Sequence, residues 1–201
     1  MKITAILLAA GRSTRFEDGH KLLAEIDAVP LIRRAALALA HASVDDIVLV
    51  TGTNATDIAA AAGPGRWRHI ENPSAAEGLS SSLRLGIQSA GNTPDGVLIA
   101  LADMPGITAE FVDTLCAAFT ASKGRRIVFP IAPNGRRGHP VIWPRSLFSA
   151  LESVSGDTGG KALLAGHRDL WRPVECNDPG AFTDIDTRTD LDAFTAARKL
   201  N

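Results

Sequence analysis

The sequence predicts an α/β fold, in which helices cover both faces of a doubly wound, mostly parallel sheet. Short apolar runs alternate with alanine- and leucine-rich stretches along most of the 201 residues. These runs lack the polar alternation of a sheet with one wet face, which is typical of strands buried on both sides. Hydrophobic residues make up 45% of the chain but aromatic residues only 5%, so the core must consist mainly of small aliphatic side chains.

The order of these elements supports that fold. Strands are predicted for the runs at 2–9, 46–50, 96–103 and 126–131. Helices are predicted at 31–42, 56–62, 81–90 and 108–122, with Thr108 as an N-cap. Such alternation requires right-handed crossovers and therefore a Rossmann-like, three-layer sheet. The last third is less regular, with strands expected at 139–144 and 170–175 and helices at 145–154, 159–167 and 187–200.

Composition and charge predict one cytoplasmic domain covering residues 1–201. No linker-like stretch interrupts the chain, and the formal charge of −1 indicates neither a nucleic-acid nor a membrane partner. Cys116 and Cys176 lie far apart without a CxxC pattern, which favours reduced thiols. The apolar stretch near the N-terminus is too short to span a membrane and leads into charged residues, so we interpret it as a strand.

The first predicted strand ends in a small, cationic loop. Ligands of open α/β sheets bind at the carboxyl ends of strands, where small residues let backbone N–H groups converge on an anion. Ala9, Ala10 and Gly11 suit that role, and Arg12, Arg15 and Lys21 follow. The loop has neither the Walker A spacing nor the GxGxxG pattern, because Ser13 stands where a second glycine belongs. A polyphosphate site is therefore predicted, and a dinucleotide site is disfavoured.

The segment LLAAGRSTRFEDGHKLL (7–23) resembles the LAAGxSxRxGxxK signature of MobA-like nucleotidyltransferases, in particular their molybdenum cofactor cytidylyltransferase branch. Phe16, Glu17 and Asp18, with an extra residue before Lys21, depart from the commoner Met-Gly arrangement. Further similar segments follow in family order at 71–87, 101–105, 137–143, 155–164 and 184–191. The resemblance covers nearly the whole chain and implies a nucleotide-diphospho-sugar transferase-like fold.

The same resemblance implies a magnesium-dependent enzyme that transfers CMP from CTP to molybdopterin and releases pyrophosphate. Arg15 and Lys21 would neutralise the β- and γ-phosphates, with Lys21, Arg15 and Asp103 as the catalytic set. Asp103 and Asp186 would hold Mg²⁺, or Mn²⁺ in its place, since such ions take one or two carboxylates beside phosphate oxygens. Asp184 remains an alternative second ligand, because residues two apart share a face of an extended segment.

Substrate contacts are implied on both halves of the chain. The half at 1–105 would bind mainly the nucleotide, through Ala9, Ala10, Gly11, Arg12, Ser13, Arg15, Lys21, Asn72, Gly78 and Ser82. Gly78 and Ser82 are the candidates for the base. The half at 106–201 would bind mainly the acceptor, through Arg137, His139 and Lys161, with Arg136 as a further cation. A phosphomonoester acceptor is mostly dianionic at neutral pH and needs no general base, so His139 is expected to orient it.

Several alternatives stay open at this point. GTP or another NTP could be the donor, with a different phosphorylated acceptor. A non-catalytic accessory protein could carry the cofactor to a molybdenum hydroxylase, although a carrier has no use for two metal carboxylates. Docking to such a hydroxylase or to its maturation factor is compatible with either function. An oxidoreductase is disfavoured by the missing glycine pattern. Asp103, Asp186 and the serines at 80–82 could also be ordinary turn or cap residues.

Overall fold

A computed structural model describes residues 1–17, 19–156 and 160–198. Its strands are β1 (Ile3–Ala9), β2 (Glu25–Ile26), β3 (Val29–Pro30), β4 (Asp46–Thr51), β5 (Arg68–Glu71), β6 (Gly96–Leu101), β7 (Ile127–Ile131), β8 (Val141–Pro144) and β9 (Trp171–Glu175). Its α-helices are α1 (Leu31–His41), α2 (Ala55–Ala62), α3 (Leu79–Ala90), α4 (Ala109–Ala121), α5 (Phe148–Glu152), α6 (Lys161–Gly166) and α7 (Arg188–Arg198).

The main sheet has seven strands in the order β5-β4-β1-β6-β8-β7-β9. Its pairs are parallel except that β8 runs antiparallel to both β6 and β7. The chain builds outward from β1 through β4 to β5, then returns to place β6 on the other side of β1. The strand order therefore reverses between β1 and β6, which is where open α/β sheets form a ligand crevice.

Helices cover both faces of this sheet because residues along the buried strands point alternately to opposite sides. In β1, Ile3, Ala5 and Leu7 pack with residues of α1, α2 and α4. Ile6 and Leu8 pack on the opposite face with residues of α3, α5 and α6. The predicted three-layer fold is thus confirmed.

A smaller apolar cluster anchors the cationic loop. Phe16 is buried against Ile26, Leu31, Ile185 and Leu191. This cluster ties the loop after β1 to the β2–β3 hairpin and to α7. The unusual Phe16 of the sequence motif therefore anchors the loop, whereas Asp18 lies outside the described residues.

Most predicted boundaries agree with the structure to within two residues, and Thr108 caps α4 by accepting a hydrogen bond from Phe111 N at 3.2 Å. The predicted helix at 145–154 is instead a short 3₁₀ turn followed by α5. Parts of the predicted helices at 159–167 and 187–200, and residues 157–159 of the motif at 155–164, lie outside the described residues. Within the described part of the chain, no helix is long and apolar enough to cross a membrane.

Candidate active site

Two carboxylates from distant parts of the chain share one lysine at the carboxyl edge of the sheet. Lys21 Nζ donates hydrogen bonds to Asp103 Oδ2 at 2.7 Å and to Asp186 Oδ1 at 2.8 Å. The Arg15 guanidinium lies 2.7 Å from Asp186 Oδ2. The side chain of Lys21 is only 10% exposed, whereas that of Arg15 is 72% exposed. We call Arg15, Lys21, Asp103 and Asp186 the carboxylate cluster.

The fold accounts for this meeting of residues. Asp103 follows β6, and Lys21 lies beyond the loop that follows the neighbouring strand β1. Ile185 N donates to the Asp103 carbonyl oxygen at 2.9 Å, which brings the next residue, Asp186, beside Asp103. Of the two candidates in that segment, Asp186 joins the cluster, while Asp184 is half exposed and lies 4.0 Å from Arg136.

The backbone around Asp186 is held without using its carboxylate. Thr187 and Asp190 exchange hydrogen bonds, with Asp190 Oδ2 accepting from Thr187 N at 2.8 Å and Thr187 Oγ1 accepting from Asp190 N at 3.2 Å. This is a capping-box arrangement at the start of α7. Hydrogen bonds from Thr187 are also the main reason that the pKa of Asp190 is lowered. The carboxylate of Asp186 is therefore left to the cluster.

A second close contact joins the two acidic segments. Gly106 and Gly180 pass backbone against backbone, so that a Cβ atom at Gly180 would lie 2.7 Å from the Gly106 carbonyl oxygen. Gly106 follows Asp103 by one turn of chain, and Gly180 precedes Asp186. Only glycine permits this approach, because a side chain at either position would overlap the backbone of the other glycine.

Electrostatics keep Lys21 charged in this setting. Burial by itself lowers the pKa of the ammonium, but attraction to Asp103 and Asp186 and their hydrogen bonds outweigh it. The net effect is a raised pKa. The cluster thus contains two cationic and two anionic side chains held within hydrogen-bond distance.

One oxygen of the cluster is not satisfied by protein. Among the residues that the structure describes, Asp103 Oδ1 is the buried side-chain oxygen without a hydrogen-bond partner. An unpaired buried polar atom is costly unless a ligand pairs with it. No group of three or more histidine, cysteine or acidic side chains in the described ranges could form an all-protein metal cage. A pair of carboxylates with a free oxygen fits an ion that completes its shell with phosphate oxygens.

The loop between β1 and Lys21 is stapled by His20. His20 Nε2 lies 3.0 Å from the Gly11 carbonyl oxygen, while His20 Nδ1 accepts from Leu22 N at 3.3 Å. Ser13 adopts a left-handed backbone with φ of 53°, and its hydroxyl lies 3.3 Å from both His20 Nδ1 and Lys21 N. Burial is the main cause that lowers the pKa of His20. The neutral ring therefore joins the start of the loop to the backbone that carries Lys21.

The predicted base segment forms a buried network. Asn72 Nδ2 donates to the hydroxyls of Ser81 and Ser82, each at 2.9 Å. The Ser81 hydroxyl lies within hydrogen-bond distance of the carbonyl oxygens of Ser74 at 2.9 Å and Gly78 at 2.8 Å, to either of which it can donate its proton. Ser82 is only 1% exposed. These side chains brace the turn before α3. Gly78 itself has a φ of 103° at the N-terminus of that helix.

The predicted acceptor residues line one cavity of about 600 Å³ beside the carboxylate cluster. Leucine, isoleucine, methionine and aromatic side chains form most of its wall, including Met104, Trp143 and Phe182. Its polar groups are Arg136, Arg137, His139, Lys161 and Asp184. Burial is the main cause that lowers the pKa of His139, whose Nδ1 lies 3.5 Å from the Ile99 carbonyl oxygen. The cavity therefore offers an apolar slot with a cationic rim.

Trp171 supports that rim and was not expected from the sequence. The guanidinium carbon of Arg137 lies 5.1 Å from the centroid of the Trp171 ring, and Trp171 Nε1 donates to the Leu164 carbonyl oxygen at 2.8 Å. Leu164 also lines the cavity. His20 was missed as well, although it stands inside the recognised motif. No local pattern could reveal either role, because each depends on a partner that only the fold supplies.

Comparison with known proteins identifies the domain. The model of the MobA-like NTP transferase domain matches residues 5–170. A nicotine blue oxidoreductase of Paenarthrobacter nicotinovorans is 30% identical over 196 residues, which is 92% of each chain. A molybdenum cofactor guanylyltransferase of Burkholderia vietnamiensis is 28% identical and covers 96% of this chain and 95% of its own length.

Solved structures agree with this fold. Rv0371c from Mycobacterium tuberculosis H37Rv superimposes with a TM-score of 0.82 at 23% identity, and the match covers 98% of each chain. A manganese complex of Rv0371c gives a TM-score of 0.79 at the same identity, covering 98% of this chain and all of the other.

Proposed function

Because this chain belongs to the family of MobA-like NTP transferase domains, we propose that it transfers CMP from CTP to molybdopterin and releases pyrophosphate. The observation that carries this proposal is the carboxylate cluster at the carboxyl edge of β1 and β6. It combines cations for a triphosphate with two carboxylates for a divalent metal ion. An accessory carrier would have no use for this combination.

The reaction is an in-line displacement at the α-phosphorus. An oxygen of the acceptor's phosphate group forms a bond to that phosphorus, the bond to the β-phosphate oxygen breaks, and pyrophosphate leaves. Asp103 and Asp186 would hold Mg²⁺ or Mn²⁺, and a bound divalent ion neutralises charge on the triphosphate and on the leaving group. Catalysis in such transfers consists mainly of positioning and charge stabilisation.

The cationic side chains would bind the triphosphate. Lys21 and Arg15 would contact the β- and γ-phosphates, and the exposed Arg12 and the backbone from Ala9 to Ser13 would form the rest of the anion site. His20 would keep this loop in shape. The manganese complex of Rv0371c supports binding of a divalent metal ion in this fold.

The cavity would bind the acceptor. A ring system that carries a phosphate group suits a cavity whose apolar walls can pack against the ring and whose lining includes Arg136, Arg137 and Lys161 to bind the phosphate. That phosphate is already mostly dianionic at neutral pH, so the attacking oxygen needs no base. His139, kept neutral by burial, would orient the acceptor by hydrogen bonding.

The choice of nucleotide depends on the loop before α3. We propose that the backbone at Gly78 contacts the base and that Asn72 and Ser82 support this loop from within, since their polar groups already bond to each other. CTP is favoured by the resemblance of the motifs to the cytidylyltransferase branch. GTP is the alternative, because a relative is named a guanylyltransferase.

A second candidate function comes from the relative named nicotine blue oxidoreductase. Its name favours redox chemistry on a heteroaromatic compound, which the apolar cavity could also accommodate. The loop after β1, however, lacks the glycine pattern of a dinucleotide site. The carboxylate cluster favours nucleotidyl transfer over this alternative.

One experiment separates these functions. The protein is incubated with Mg²⁺, molybdopterin and each of the four NTPs in turn, and pyrophosphate is measured. We expect release with CTP, and Asp103→Ala should abolish it while the protein remains folded. Release with GTP alone would correct the donor, and no release with any nucleotide would refute the transferase. Oxidation of NADH or NADPH by the same protein with a heteroaromatic acceptor would then support the second candidate.

A further inference from the structure

The ammonium of Lys21 occupies the position that a metal ion would need. It donates to one oxygen of Asp103 at 2.7 Å and to one oxygen of Asp186 at 2.8 Å, and so bridges the two carboxylates. Its side chain is more buried than that of either carboxylate, whose exposures are 22% and 24%. Lys21 is thus an internal counter-ion of the pair.

A divalent ion and the Lys21 ammonium repel each other if both bind the carboxylates of Asp103 and Asp186 at the same time. Mg²⁺ binds carboxylate oxygens at about 2.1 Å. With Lys21 still bonded to the same oxygens, the two cations would lie only about 4 Å apart, at which distance like charges repel strongly in a partly buried site. Asp103 Oδ1 is unpaired, but an ion bound there would still face the ammonium across one carboxylate.

The net charge of the carboxylate cluster also disfavours binding of a free divalent ion. Arg15 and Lys21 balance Asp103 and Asp186, so the four side chains are neutral together. A free divalent ion would leave this group strongly positive. A triphosphate chelating the ion brings more negative charge than the ion brings positive charge, and its oxygens can accept the hydrogen bonds of Lys21.

We infer that Lys21 makes this site selective for a metal–nucleoside triphosphate chelate over the free divalent ion. The triphosphate draws the ammonium of Lys21 away from Asp103 and Asp186, and the released carboxylates then hold the ion. The inference rests on the proposed function, because it takes Asp103 and Asp186 as the metal ligands.

The test measures binding of Mn²⁺ alone by the electron paramagnetic resonance signal of the free ion. Lys21→Met keeps the length and apolar stem of the side chain and removes the charge. Lys2→Met is the matched control, since Lys2 is an exposed lysine that lies outside the cluster. Without nucleotide, we expect Lys21→Met to bind Mn²⁺ about ten- to a hundredfold more tightly than the wild type, and Lys2→Met to bind like the wild type.

Nucleotide should increase the affinity for Mn²⁺ more in the wild type than in Lys21→Met. Because CTP and GTP chelate Mn²⁺ by themselves, this arm measures binding of the Mn²⁺–nucleotide chelate to the protein by equilibrium dialysis. The wild type should bind the chelate much more tightly than free Mn²⁺, whereas Lys21→Met should show a much smaller difference. If Lys21→Met is poorly folded at rest, its melting temperature should rise more with Mn²⁺ than that of the wild type, because binding to the native state stabilises it.

The outcomes are distinct. The role of Lys21 is overturned if Lys21→Met binds Mn²⁺ no more tightly than the wild type does. If Asp103→Asn still weakens Mn²⁺ binding in the presence of nucleotide, the metal site itself remains supported. Binding that Asp103→Asn does not change, with or without nucleotide, overturns the metal assignment itself and this inference with it.

Discussion

Replacement of Gly180 by alanine tests whether backbone contact sets the spacing of the two carboxylates. The new Cβ would lie 2.7 Å from the carbonyl oxygen and 2.8 Å from the Cα of Gly106. Ordinary contacts between such atoms are about 3.5 to 4.0 Å, so the two segments must separate by close to 1 Å. Asp103 lies three residues before one segment's glycine, and Asp186 lies six residues after the other.

Two consequences have measurable size. Overpacking of this kind lowers the free energy of unfolding by about 1 to 3 kcal/mol, which corresponds to a loss of roughly 2 to 12 °C in Tm for a chain of this length. A displacement of about 1 Å in catalytic groups can lower the rate about a hundredfold. We therefore expect Gly180→Ala to lower both Tm and kcat for pyrophosphate release.

Gly166→Ala is the matched control, because a Cβ at Gly166 would have no atom within 4 Å. It should leave both Tm and kcat close to those of the wild type. Circular dichroism measures the first quantity and a coupled pyrophosphate assay the second. An unchanged Tm in Gly180→Ala would refute the close-contact reasoning. A lowered Tm with an unchanged kcat would show that the contact does not set the carboxylate spacing.

Three further predictions concern the loop, the cavity and the core. Burial lowers the pKa of His20 from 6.5, so the stability that His20 contributes should be complete above about pH 6.5 and lost as pH falls through the lowered pKa. Tm should therefore fall more between pH 7 and 5 in the wild type than in His20→Gln. Equal changes of Tm with pH in the two proteins would contradict this. Trp171→Leu removes the ring beside Arg137 and should raise the KM for the acceptor about two- to fivefold while leaving the KM for the NTP unchanged. Trp171→Phe should retain most of the affinity for the acceptor. Equal effects on both KM values would instead indicate general disruption of the fold. Cys116, whose pKa burial raises to about 12, should react with a thiol reagent at pH 8 far more slowly in native than in denatured protein, as peptide mass spectrometry can show; fast native labelling would contradict its burial.

The strands and the anion loop were predictable because their signals are local. An apolar run such as β1 is recognised from consecutive residues, and the small residues at its end indicate a nest without reference to the rest of the chain. The β2–β3 hairpin was missed because Asp27 and Ala28 both adopt positive φ angles of 53° and 60°, whereas such turns are usually signalled by glycine. The antiparallel direction of β8 leaves no trace in its four residues.

The carboxylate cluster shows most clearly what a linear reading leaves undecided. Its parts could be recognised in the linear chain, namely a cationic loop, Asp103 after a buried strand and an acidic pair near the C-terminus, because each is a short pattern with its own physical meaning. The folded chain was needed to show that Asp186 rather than Asp184 lies beside Asp103, and that Lys21 bonds to both carboxylates although they are 82 and 165 residues away in sequence. This arrangement of the three side chains follows from the strand order around β1 and from the passage of Gly180 against Gly106. No local sequence pattern encodes either feature.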